Sequence, residues 1–209
     1  MSANACSDRG SSARSPGAIG PGLVVLVVGP SGAGKDAILR ATRERLAADQ
    51  RFVFPRRIVT REANAAEDHV AVTPQQFDAL VRRGGLAVHW QAHGLQYGIS
   101  AEIDRSLREG SSVIFNASRG VVSVVRARFA STATVLIDAP PSLRADRLAA
   151  RDREGAHEIA ARLARVVCGA DALEPDLLIS NDGALEHAAE RLTRWLQARA
   201  GALAKTPTK

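Results

Sequence analysis

Residues 23–28 (Leu-Val-Val-Leu-Val-Val) are apolar at six successive positions, the pattern of a strand buried on both faces inside a parallel sheet. The run stops at Gly29. After a glycine-rich stretch, residues 36–48 carry Ile38, Leu39 and Leu46 among charges, at helical spacing. Further apolar runs at 112–115, 134–137 and, shorter, 177–179 each precede a helix-like segment, with helices expected at 120–130, 142–152, 156–170 and 184–200. Strand alternating with helix in this way predicts an α/β domain, a central parallel sheet flanked by helices.

Between residues 51 and 100 the pattern changes to short strand-like pieces at 52–60, 68–72 and 86–90, with one helix starting after Thr73. Thr73 as N-cap, Pro74 at the first helical position and Gln76 three residues after the cap form a capping-box arrangement. This stretch is expected to be an insertion (51–100) folded over one edge of a core made by 23–50 and 101–203. Residues 1–22, rich in Ser, Gly, Ala and Pro, and 204–209, with Lys, Thr and Pro, are expected to be disordered extensions of a single domain. No internal repeat is present.

The chain has 209 residues and a formal charge of +6, half of it in the two flanks (Asp8, Arg9 and Arg14; Lys205 and Lys209). With aromatics at 4% the body offers neither the charge nor the stacking platform of a nucleic-acid binder, whereas small multi-anionic ligands remain open. No segment is long and apolar enough for a membrane span, and no apolar run precedes Leu23 as a secretory signal would require. Cys6 and Cys168 have no disulfide or metal spacing, so a reducing cytoplasm is the expected compartment. Of 28 basic residues only Lys35, Lys205 and Lys209 are lysines. Lys35 is thus the only lysine within 23–203, which suggests a site that needs a compact, flexible point charge rather than a planar fork.

That lysine sits in Gly29-Pro30-Ser31-Gly32-Ala33-Gly34-Lys35-Asp36, which matches G-x-x-x-x-G-K-[ST] at every fixed position except the last, between a buried strand and a helix. Gly29, Gly32 and Gly34 would let backbone N–H groups turn inward on phosphate oxygens, with the helix adding its positive end. Lys35 would bridge the β- and γ-phosphates of a nucleoside triphosphate. At the last position a carboxylate replaces the usual hydroxyl, and an anion facing a triphosphate is repelled unless a cation lies between them. Asp36 is therefore expected to be a Mg²⁺ ligand, direct or through water; an acid that merely complements the helix dipole, and a general base, are the alternatives.

With these motifs in place the chain resembles the guanylate kinase group of P-loop kinases and, within it, the ribose 1,5-bisphosphate phosphokinase family of phosphonate degradation. The similarity runs through GPSGAGKD (29–36), RRIVTR (56–61), EDH (67–69), HWQAHGLQYGIS (89–100), NASRG (116–120), LRADRLAARDRE (143–154), EIAARLAR (158–165) and NDG (181–183). The resemblance implies a P-loop kinase fold with a small acceptor-binding insertion and an arginine-bearing lid at about 147–157. It also implies ATP as co-substrate, Mg²⁺, and a phosphorylated sugar as acceptor, with no nucleic-acid or membrane partner, in a monomer or homodimer.

Departures from true guanylate kinases bear on the acceptor. The phosphate-gripping Thr-Arg pair is matched by Thr60 and Arg61, but a second arginine is Asn64. The guanine-reading glutamate aligns with His89, two guanine-contacting serines with Arg57 and Ile99, and a tyrosine with His69. A guanine edge without its partners would be rejected, whereas a guanidinium in its place suits another phosphate. Arg57, Arg61, His69 and Tyr97 are therefore expected to hold ribose 1,5-bisphosphate, its 1-phosphate aimed at the γ-phosphate of ATP to give 5-phosphoribosyl 1-pyrophosphate. Where relatives carry an acidic pair after the third parallel strand, this chain has Asn116 and Ser118, expected to bond water or sugar hydroxyls; satisfied turn residues are the alternative. Arg151 and Arg162 align best with the family's transition-state arginines, with Arg147, Arg153 and Arg165 nearby; His93 and Cys168 are expected to be structural. A nucleoside monophosphate kinase is the competing reading, and a non-catalytic guanylate-kinase-like binding module, which would be expected to lose loop or lid residues, is the competing class.

Overall fold

The computed structural model describes residues 19–62, 68–92, 94–150 and 174–203. The expected helix at 156–170 and most of the expected lid lie outside them. Five strands form the core sheet: β1 (Val24–Val28), β2 (Phe52–Val53), β7 (Ser112–Asn116), β8 (Thr132–Asp138) and β9 (Leu177–Ser180), in the order β2-β7-β1-β8-β9. Every pairing is parallel, with Val27 opposite Asn116 and Asp138 opposite Ser180. The carboxyl ends of β1, β7, β8 and β9 therefore meet at one edge, where ligands bind in open α/β sheets.

All five residues of β1 are fully buried, and their alternation feeds two cores. Val25 and Val27 pack with Ile38 of α1 (Lys35–Arg45) and with Leu192 and Leu196 of α6 (Leu185–Leu203). On the other face Val24, Leu26 and Val28 meet Ile103 and Leu107 of α3 (Ile103–Arg108), and Val122, Val125 and Phe129 at and beyond α4 (Val122–Arg128). At about 1.5–3 kcal/mol for each fully buried Val or Leu side chain, β1 alone is a large part of the driving force for the sheet.

A second, mixed sheet runs β4-β3-β6-β5, from β3 (Arg57–Val59), β4 (His69–Ala71), β5 (Leu86–Ala92) and β6 (Leu95–Ser100). β3 and β4 are parallel; β6 is antiparallel to β3 and to β5. The Pro74–Arg82 helix (α2) covers one face through Phe77, packed with Ile58 and Leu86, and its Thr73/Gln76 capping box forms as expected. Trp90 and Ile99 join the same core as Val24 and Leu26, so the smaller sheet is anchored to the larger one by apolar packing.

Three elements depart from the sequence pattern. Phe52 and Val53 pair with β7 in the core sheet, so the smaller sheet opens at Arg57 rather than at 51. β6 and α3 were not foreseen. Residues 19–22 also belong to the folded body rather than to a disordered extension: Ile19 packs beside the Val24/Leu26 core, Gly22 donates its N–H to Leu107 O at 2.9 Å, and a Cβ on Gly20 would collide with Leu107.

Arg128 of α4 and Asp104 of α3 form an ion pair at 2.8 Å with only 3% and 5% of their side chains exposed. Removing one partner strands the other charge in the interior. Asp104→Ala is therefore expected to cost about 3–5 kcal/mol in denaturant unfolding, far more than removal of an exposed acid such as Glu109.

Candidate active site

The loop between β1 and α1 is a tight cradle, and the glycines are needed for two reasons. Gly32 and Gly34 have φ of 79° and 87°, which L side chains rarely adopt. Their missing Cβ positions are also already filled. One at Gly32 would lie 2.6 Å from Arg144 O on α5 (Pro141–Ala149), and one at Gly34 would collide with the side-chain amide of Asn181. No side-chain hydrogen bond caps α1, and its positive end opens onto the loop, as an anion site requires. Lys35 folds back over the loop, its Nζ donating to Gly29 O at 2.9 Å and Pro30 O at 2.7 Å.

The back wall of the cradle escaped sequence reasoning. Asn181, directly after β9 and almost fully buried, donates its amide to Ala33 O at 2.8 Å and its backbone N–H to Asp138 O at 2.8 Å. Arg147 donates to Asn181 O at 3.1 Å, and its buried Nη1, with no hydrogen-bond partner among the described residues, lies beside Gly34. The NDG segment at 181–183 was visible, but nothing in its spacing marks an asparagine as the support of a loop nearly 150 residues earlier.

Asp36, in the first turn of α1, joins three elements. Its Oδ1 accepts from Arg57 Nη2 of β3 at 3.1 Å and from Asn116 Nδ2 at the end of β7 at 2.9 Å. Arg57 in turn lies over the Tyr97 ring, 5.9 Å from its centroid, and Tyr97 stacks on Trp90 at 5.5 Å with planes 10° apart. Asp68 makes a second tie to α1. It pairs with Arg43 and with Arg56, both at 2.6 Å, and these partners, Arg43 foremost, hold its carboxyl below the usual carboxylate range.

His69 is nearly fully buried beside Arg57 in the β3/β4 register, with Nε2 3.3 Å from Arg61 O and Nδ1 without a partner among the described residues. Arg57, His69 and Tyr97 thus share one face of the smaller sheet, with Arg61 just past the end of β3. Other expected residues make contacts within the fold. Thr60 accepts Gln96 N–H at 2.9 Å on Oγ1, knitting β3 to β6. Asn116 gives its amide to Asp36, and Ser118 precedes the Arg119–Val121 turn, its carbonyl accepting Val121 N–H at 3.1 Å. His89 packs edge-on against Phe77, 6.4 Å between ring centres and on the α2 side, while Ile99 is fully buried. Arg151 and Arg162, with Arg153, Arg165, Asn64, His93, Cys6 and Cys168, lie outside the described residues.

A glycine cradle with one lysine at the carboxyl edge of a parallel sheet, faced by a cationic second site, defines a P-loop phosphotransferase. The guanylate kinase family profile matches residues 22–199. Ribose 1,5-bisphosphate phosphokinase PhnN of Bradyrhizobium diazoefficiens is 46% identical over 181 residues, 87% of this chain and 91% of that protein. The protein of the same name from Rhodopseudomonas palustris is 48% identical over 165 residues, 79% and 83% of the two chains. The crystal structure of guanylate kinase from Anaplasma phagocytophilum shares the fold, with a TM-score of 0.65 at 18% identity over 86% of each chain. The chain belongs to the guanylate kinase family and, within it, to the ribose 1,5-bisphosphate phosphokinases.

Burial holds the His89 imidazole below its ordinary pKa of 6.5. The stability gained by keeping it neutral is complete above pH 6.5 and is lost as the pH falls through that value toward the lower folded one. Thermal melts are expected to show a drop between about pH 7.5 and about pH 5.5 that is smaller in His89→Phe, which keeps the edge contact with Phe77 and removes the titration.

Proposed function

We infer that this chain phosphorylates ribose 1,5-bisphosphate at its 1-phosphate with ATP, giving 5-phosphoribosyl 1-pyrophosphate and ADP. The observation that carries the reading is Arg57: where a nucleobase-reading site needs a neutral hydrogen-bonding group, a guanidinium spans the gap between Tyr97 and the phosphate loop. The names borne by the curated relatives point the same way.

The acceptor phosphate has its second pKa near 6, so at neutral pH it is largely an anionic nucleophile and needs no catalytic base. Its oxygen attacks the γ-phosphorus; a new P–O–P bridge forms, the bond to the β-phosphate oxygen breaks, and ADP leaves. The protein's work is alignment and charge neutralisation. Gly29, Pro30, Ser31, Gly32, Ala33 and Gly34 cradle the triphosphate. Lys35 moves from its own loop carbonyls onto the β- and γ-phosphates, and Arg151 and Arg162 are assigned to the charge developing on the transferring group. Arg57, Arg61, His69 and Tyr97 hold the acceptor; His69 Nδ1 is buried with no partner among the described residues.

The donor set also suits Mg²⁺. Asp36 offers one carboxylate with 37% of its side chain exposed at the loop, and Mg²⁺ is commonly held by one or two carboxylates plus substrate phosphates and water. Bound there, the ion would supply charge neutralisation to the triphosphate.

Coupled assays with ATP and Mg²⁺, offering ribose 1,5-bisphosphate, GMP or no acceptor, are expected to give product from the bisphosphate and at most trace turnover with GMP. Lys35→Met is expected to lower kcat by about 10²–10³, as the loss of one preorganised charge contact does. Efficient GMP turnover would instead favour a nucleoside monophosphate kinase.

A further inference from the structure

The Asp36–Arg57 ion pair joins the phosphate loop to the face that carries His69 and Tyr97. Asp36 Oδ1 already receives two donors, Arg57 Nη2 and Asn116 Nδ2. A divalent ion on that carboxylate repels the guanidinium and weakens the carboxylate's hold on Arg57. Arg57, with 17% of its side chain exposed, is confined between the loop and Tyr97, so a guanidinium leaving Asp36 stays over the acceptor face beside His69.

We propose that this pair is a latch: with the nucleotide site empty Asp36 withholds Arg57 from the acceptor, and Mg·ATP, by engaging Asp36, releases Arg57 to bind the acceptor phosphate. The proposal rests on the acceptor reading given above and adds an order of events to it. Nucleotide and acceptor bind with positive coupling, and the coupling is reciprocal. Asn116 serves as the fixed partner, holding the carboxylate on the β7 side while Arg57 departs.

The test is calorimetric binding of ribose 1,5-bisphosphate to the full chain, with and without a non-hydrolysable ATP analogue and Mg²⁺. The analogue is expected to tighten wild-type acceptor binding about tenfold. Asp36→Asn is expected to bind the acceptor several-fold more tightly than wild type with no nucleotide or metal present, and to gain little from the analogue. Arg57→Gln separates the latch from simple removal of a negative charge, since the gain from Asp36→Asn should vanish in the double variant. An Asp36→Asn chain that binds no more tightly than wild type, or an equal gain in the Arg57→Gln background, overturns the latch.

A second readout does not depend on which acceptor is right. In Trp195→Phe the only tryptophan left is Trp90, stacked on the Tyr97 ring that Arg57 covers. Its emission is expected to shift in the same direction on adding Mg²⁺ with the analogue and on Asp36→Asn. A shift together with no binding of the bisphosphate keeps the latch and refutes the substrate; no shift refutes the latch.

Discussion

The closeness of the phosphate loop to the wall behind it is the constraint on which the rest of the site depends. Gly32 lies against the backbone of α5 and Gly34 against the Asn181 amide, so the loop has no room to relax sideways. Its curvature is therefore fixed from outside, by segments that follow β8 and β9, as well as by its own glycines. The parallel order of the sheet makes this possible, because it delivers the ends of β1, β8 and β9 to the same edge. The fully buried β1 anchors the loop's entry, and α1, packed on α6 through the Ile38 core, anchors its exit.

On this rigid support sits a charge that other phosphate loops do without. A carboxylate beside a triphosphate site is costly unless it is answered, and here the answer comes from Arg57 and Asn116, on different strands of different sheets. The guanidinium that balances Asp36 also lies over the Tyr97 ring, so one charge pair ties the phosphate loop to the smaller sheet.

Much of this was legible in the chain, and what was not has identifiable causes. The runs at 23–28, 112–115 and 134–137 announce strands because burial on both faces leaves an unbroken apolar signature, while 177–179 is an apolar edge strand with Leu178 exposed. β6 carries no such mark: Gln96, Tyr97 and Gly98 interrupt it, and Gly98 is there because a side chain would press into Leu86 and Phe77. α3, at six residues, is too short to display a period. Motif matching located Lys35, Asp36 and Arg57. It could not see the pleat that turns His89 toward Phe77 while its neighbour Trp90 faces Tyr97, nor that the Thr60 hydroxyl is used by Gln96. Partnerships between distant segments, such as Asn181 with Ala33, leave no trace in local spacing.

The docking of residues 19–22 against the end of α3 has a practical corollary. Gly22 is bonded to Leu107 at the amino edge of the sheet, whereas the phosphate loop lies at the carboxyl edge, the length of a five-residue strand away, or about 17 Å. Residue 19 therefore lies on the side of the body remote from the phosphate loop, and a bead or a second catalyst joined directly to it would leave the mouth of the site facing open solvent.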